Sequence, residues 1–208
     1  MNTQAGTPEA KRGRKFDQVL EGARSVFLQD GFEGASVDVI ARVAGVSKAT
    51  LYAYFPDKRL LFMEVAKGEC QRQSHSALAE IDFSQPPEIV MRAAATRLLG
   101  FVLSELGRGV FRICVAESDR FPELGQEFYN HGPALVRQNL VCYFEAAIAR
   151  GELKIDDLPL AADQFAELCK ADLFPRMLMG VQSSFTQQEI DRVINGALSL
   201  WLARYSTE

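Results

Sequence analysis

Apolar residues recur along most of this chain at intervals of three and four, the spacing that lines one face of a helix. Phe16, Val19, Leu20, Ala23, Val26 and Phe27 predict a first amphipathic helix, closed by Gly31 as a left-handed cap. Ser36 can cap a second helix that carries Val39, Ile40 and Val43 on one face. Ala44-Gly45-Val46 breaks that pattern, and Ser47 offers another cap directly afterwards. The helix it opens is only about two turns long, because Pro56 ends it. Asp57 caps a fourth, with Leu60, Leu61, Met63, Val65 and Ala66 as its early apolar positions.

After residue 80 the pattern lengthens. A loop at Asp82 to Glu88 precedes helical stretches predicted at 87–105, 108–118, 122–150, 158–181 and 187–205. Breaks fall at Gly107 and Gly109, at Phe121-Pro122, at Arg150 to Pro159 and at Ser183 to Glu189. No window alternates as a strand would between hairpin turns, so the expected fold class is all-α. The divisions are an arm over 1–14, a small helical domain over 15–66 and a larger one over 67–208. The arm reads as a disordered tail.

Composition adds limits. The chain has 208 residues, 48% hydrophobic and 24% charged, the profile of a globular protein with a sizeable core. No apolar run approaches the ~20 residues of a membrane span, and no secretory leader is legible at the start. Cys70, Cys114, Cys142 and Cys169 are scattered, which suits buried free thiols in a reducing, cytoplasmic compartment. Net charge is −4, split as nine Lys/Arg against eight Asp/Glu in residues 1–66 (+1) and fourteen against nineteen in the remainder (−5). Lys11 to Lys15 hold four cations in five residues. Salt screens charges beyond roughly 8 Å, so an acidic body barely cancels a local basic arm.

Two short helices joined by Ala-Gly-Val, each opened by a serine, form the pattern of a helix-turn-helix. Ile40, Val46 and Leu51 can hold the pair together, with Leu51 and Phe55 facing inward. With Ser47 as cap, Lys48, Ala49, Thr50, Tyr52 and Tyr54 fall on the exposed start and outer face of the second helix. A DNA major groove has phosphate walls and a floor of base edges and thymine methyls. Lysine reaches phosphate or guanine acceptors, hydroxyls and helix-start N–H groups suit phosphate oxygens, and tyrosine offers an apolar ring with a polar tip.

Residues Gly31 to Val65, "GFEGASVDVIARVAGVSKATLYAYFPDKRLLFMEV", resemble the DNA-binding domain of the TetR/AcrR family of bacterial transcriptional regulators. The shared positions are the Gly-Phe before the second helix, Ser36, Ile40-Ala41, Ala44 to Ser47, Thr50 to Tyr52, Phe55 and Lys58. The later helices resemble the family's ligand-binding and dimerisation domain in length and layout, with an AefR-like character. The resemblance implies that Ser36 meets a phosphate and that Ser47, Lys48, Ala49, Thr50, Tyr52 and Tyr54 read DNA. It further implies that Lys58 grips the backbone, and that Arg12 and Arg14 touch flanking phosphates or the minor groove. Ala49 stands where many members have glycine, and Tyr54 where histidine is frequent.

The same resemblance implies a homodimer, an operator of double-stranded DNA and a small effector. Phe101, Phe111, Cys114, Phe121, Phe144, Phe165, Phe174 and Met177 would suit an apolar ligand cavity, although each also reads as plain core. Ile190, Val193, Ile194, Ala197, Leu198 and Trp201 form a stripe on the last helix that could pack inward or seal a two-fold interface. The family pattern implies the interface, as a four-helix bundle from two subunits. No cofactor, metal site or enzymatic activity is expected, since His75 and His131 are far apart and no catalytic motif occurs. The alternative is a helical ligand-binding or scaffolding protein without DNA binding.

Overall fold

The computed structural model describes residues 13–80, 82–117, 119 and 121–207. Its elements are helices α1 (Arg14–Gly34), α2 (Val37–Val43), α3 (Lys48–Tyr54), α4 (Lys58–Glu80), α5 (Pro87–Val102), α6 (Glu105–Ala116), α7 (Pro122–His131), α8 (Pro133–Ala149), α9 (Leu158–Lys170), α10 (Leu173–Leu178) and α11 (Gln187–Tyr205). No strand occurs among the described residues; a single antiparallel bridge joins Leu153 to Ser206. The chain divides into two compact units, Met1–Ala66 and Lys67–Glu208.

In the first unit, Val19, Ala23, Val26 and Phe27 of α1 are buried together with Ile40, Leu51, Phe55, Leu61 and Phe62. Phe27 meets the Phe62 ring edge-on at 4.9 Å, and Phe32 meets it at 5.1 Å. Such pairs add about 0.5–1.5 kcal/mol beyond their burial. At Gly31 the backbone leaves the helix with φ 68° and ψ −176°, a conformation open to glycine alone. The helix begins at Arg14, so the arm expected to run to residue 14 gives way to helix at that residue; Gly13 is extended and Asp17 favours the helix start.

The second unit is organised around Trp201. Its indole is 1% exposed and lies 4.9 Å from Phe144, 5.8 Å from Phe165 and 4.9 Å from Tyr205. The indole Nε1–H donates to the Ala161 carbonyl at 2.9 Å, which satisfies both groups inside the core. The same core holds Val90, Met91, Ala95 and Leu99 of α5, Leu140 and Ala147 of α8, and Ala162 of α9.

Two predicted long helices are interrupted. The stretch 122–150 breaks at Gly132 (φ −117°, ψ −93°), where Pro133 starts α8 without an N–H to continue α7. The stretch 158–181 breaks at Asp172, whose φ of 64° reverses the chain. Pro175 then sits in the first turn of α10, where no N–H is needed.

The stripe on α11 requires a correction. Val193, Ile194, Ala197, Leu198 and Trp201 all belong to the core of their own unit, and Ile190 packs against it half-buried. Five of the six are at most 8% exposed, so they have no area left for a partner chain. Two of the expected ligand contacts, Phe144 and Phe165, are buried against Trp201 in this core. The cysteines also divide: Cys114 and Cys169 are buried, whereas Cys142 is exposed on α8, and the Cys70 side chain lies outside the described residues. Burial pushes the Cys114 thiol up to about 11 and that of Cys169 up to about 12.

Candidate nucleic-acid interface

Two serine caps fix the starts of α2 and α3. Ser36 accepts from the Val39 N–H at 3.2 Å, and Ser47 from the Thr50 N–H at 3.1 Å. Each cap satisfies one of the donors that a helix start leaves without a partner, and contributes about 1 kcal/mol. The Ser47 and Thr50 hydroxyls lie 2.9 Å apart, so one donates to the other. Between the helices, Gly45 takes φ 65°, and the Val46 N–H donates back to the Ala41 carbonyl at 3.0 Å. Leu51 is 1% exposed, which turns the opposite face of α3 outward.

That outer face carries Ser47, Lys48, Ala49 and Tyr52, all exposed, with Thr50 half-buried beside them. Ser36 is also exposed. Tyr54 departs from the expected outward position. It is half-buried, with its ring edge-on to Phe16 at 5.6 Å, while Phe16 stacks on Phe55 at 5.4 Å. Phe16 thereby pins the start of α1 to the end of α3, and Arg14, two residues before it, is exposed. Arg12 lies outside the described residues.

Lys58 has a role inside the unit that the sequence did not show. Its ammonium donates to the Phe32 carbonyl at 2.7 Å and to the Ala35 carbonyl at 3.0 Å, and it lies 4.3 Å from the centre of the Phe32 ring. An ammonium has three donors, and two are spent inside the unit. Lys58 therefore ties α4 to the end of α1, with one donor left over.

Sequence reasoning passed over three residues that shape this surface. Asp38, in the first turn of α2, forms an ion pair with Lys48. Gly22 brings α1 against the turn; a Cβ there would lie 2.7–2.8 Å from the backbone N and Cα of Ala44. Phe16 was legible only as a helix position. The signals were an acid two residues after a cap and a glycine inside an amphipathic run.

Of the remaining proposed ligand contacts, Phe111 and Phe174 meet edge-on at 4.9 Å between α6 and α10. Cys114 and Met177 are buried on the same two helices, and Arg112 donates to the Leu178 carbonyl at 2.9 Å. Phe101 and Phe121 are half-buried.

Helix starts of this kind, with hydroxyls and a lysine facing out on a short capped helix, characterise helix-turn-helix regulators. Residues 19–65 match the family model for bacterial regulatory proteins of the tetR family, and residues 89–207 match that for the C-terminal domain of AefR-like transcriptional repressors. The chain belongs to the TetR family, with a C-terminal domain of the AefR-like kind. The solved structure of the Flavonoid-responsive Regulator FrrA is 34% identical, with a TM-score of 0.68, over 94% of this chain and 99% of that one. A TetR-family regulator structure from Mesorhizobium loti MAFF303099 is 26% identical, with a TM-score of 0.78, over 96% and 100% of the two chains. Among curated relatives, the transcriptional repressor AcnR of Corynebacterium glutamicum is 34% identical over 68 residues, 31% of this chain and 36% of that protein. The transcriptional regulator RutR of Escherichia coli K12 is 43% identical over 53 residues, 26% and 25% of the two. The chain thus spans about a third or less of the length of the curated relatives it matches.

Proposed function

We propose that this chain is a cytoplasmic, ligand-responsive transcriptional repressor that binds a palindromic operator as a homodimer and is released by a small apolar or amphipathic effector. One observation carries the reading: a capped helix of seven residues whose back is locked by Leu51 and whose front presents Ser47, Lys48, Ala49 and Tyr52. A helix so short makes few base contacts, each worth about 1–3 kcal/mol at best. Two copies one DNA turn apart are needed for useful discrimination.

With the inward stripe of α11 spent in the core, its outer face and that of α9 supply the dimer surface. Leu160 and Leu200 are 49% and 65% exposed there, flanked by Gln164, Glu167 and Arg204. The α6–α10 aromatic pair supports an aromatic effector, and so does the likeness to a flavonoid-responsive regulator. The effector acts by binding better to one spacing of the two reading heads, which shifts the dimer toward it.

The test is fluorescence anisotropy with DNA from upstream of the chain's own gene against a scrambled duplex, alongside sedimentation of the complex. Two chains per specific duplex, released by a planar polyphenol, is the expected result. Equal binding to both duplexes at physiological salt would refute the proposal.

A further inference from the structure

The surface that carries α3 holds an acid where a simple polyanion-binding face would hold none. Asp38 and Lys48, with side chains 64% and 58% exposed, pair across from the first turn of α2 to the first residue of α3. The two partners are not equivalent. Asp38 sits where the positive end of α2 stabilises a carboxylate, on a helix whose start is fixed by the Ser36 cap. Lys48 is a flexible stem at the start of α3, where the helix end repels a cation. The carboxylate is the anchor, and the ammonium is the group being held.

A carboxylate facing phosphates opposes binding to any duplex. An exposed ion pair of this kind also does little for the fold. Its effect must therefore be sought in how Lys48 meets DNA. Binding to arbitrary sequence is driven by counterion release, with about 0.9 in log–log salt slope for every phosphate neutralised. A lysine already neutralised within the protein contributes little of that. Guanine O6 and N7 are neutral acceptors at the groove floor, so a lysine meets them by hydrogen bonding and depends less on its net charge there than against an anionic phosphate. The pair thus taxes non-specific contacts more than a correctly placed base contact.

We propose that Asp38 is a specificity-determining residue that acts through Lys48: it withholds the Lys48 charge from phosphates of arbitrary DNA and yields it to a base edge in the correct sequence. This rests on the DNA-binding reading above. Two probes test it, a random-sequence 30-base-pair duplex and a duplex selected by the wild-type protein from a randomised pool. Asp38→Asn is expected to tighten binding to the random duplex about three- to tenfold and to steepen its salt slope by about 0.9 per bound chain. Affinity for the selected duplex should change less than about twofold, so the ratio between the two falls. Asp38→Glu, which keeps the carboxylate, should stay near wild type. In a Lys48→Met background, Asp38→Asn should leave the slope unchanged. An unchanged slope in the Asp38→Asn single variant overturns the proposal, as does the same steepening without Lys48. A wild-type chain that binds neither duplex overturns the DNA-binding reading instead.

Discussion

Lys58→Met removes one ammonium while keeping most of the side-chain volume. In the wild type that ammonium serves two carbonyls, of Phe32 and Ala35, and lies over the Phe32 ring. Both carbonyls stand at the end of α1, where a helix runs out of its own donors. Hydrogen bonds to a charged group contribute about 1.5–3 kcal/mol each, and a partly exposed cation–π contact about 0.5–1 kcal/mol. Two terms offset that gross sum. The wild-type ammonium is partly desolvated, and in the variant water can reach the half-buried carbonyls. A net loss of roughly 2–3 kcal/mol remains. For a domain of this size that corresponds to about 10–20 °C in midpoint.

Hydrogen exchange on the full chain resolves this loss, with faster exchange expected for amides of α2 and the end of α1. Trp201, the chain's single tryptophan and buried in the second unit, serves as an internal control by fluorescence. Measured on protein held below its midpoint, the salt slope of DNA binding should stay at the wild-type value, because the ammonium is engaged within the protein. Wild-type protection together with a slope lower by about 0.9 per chain would refute the structural role and restore a phosphate contact.

Three further outcomes are expected. Gly22→Ala gains about 1 kcal/mol of helix propensity but drives a methyl into the backbone of Ala44, an overlap worth about 1–3 kcal/mol; urea unfolding should show a net loss, because backbone cannot move aside as a side-chain tip can. Leu160→Glu combined with Leu200→Glu should shift sedimentation from a dimer to a 23.1 kDa monomer without changing the helical content seen by far-ultraviolet circular dichroism, since both leucines are about half exposed or more. The Asp82 carboxyl, held by Gln85, by the Ser84 hydroxyl and by the Ser84 N–H, is lowered to about 2; its contribution to the loop before α5 is complete above about pH 4 and disappears as pH falls through 2, which an NMR titration of that carboxyl would follow.

How much of this was legible in the sequence depends on whether the governing signal was local. The caps at Ser36 and Ser47, the turn at Gly45 and the burial of Leu51 follow from spacing alone, and each stands where the pattern put it. The break at Asp172 had no such signal, because an aspartate in a left-handed conformation is compatible with many contexts. The α11 stripe shows a deeper ambiguity. A periodic apolar face says that something covers it, and the same pattern serves a chain's own core or a second copy. Here α5, α8 and α9 cover it, and the exposed leucines that remain lie one at a time among polar residues where periodicity cannot mark them. The internal role of Lys58 was hidden for a related reason: a lysine at a helix start reads as a surface cation, and only the fold brings two spare carbonyls within its reach.

The reading surface itself illustrates why its back was easier to infer than its front. Isolated helices shorter than about 12–15 residues are marginal in water, so the seven residues of α3 cannot hold their shape alone. Their order is imposed from behind, by the Ser47 cap, by Leu51, by Phe55 against Phe16, and by the close approach that Gly22 permits between α1 and Ala44. Each of these positions has a steric or hydrogen-bonding duty, and such duties leave a mark on residue type and spacing. Lys48, Ala49 and Tyr52 have no comparable duty to the fold, being exposed. Their identities are set by whatever they touch outside the chain. A surface of this construction separates stability from sequence preference, which is why an acid such as Asp38 can be carried at its edge at little cost to the fold.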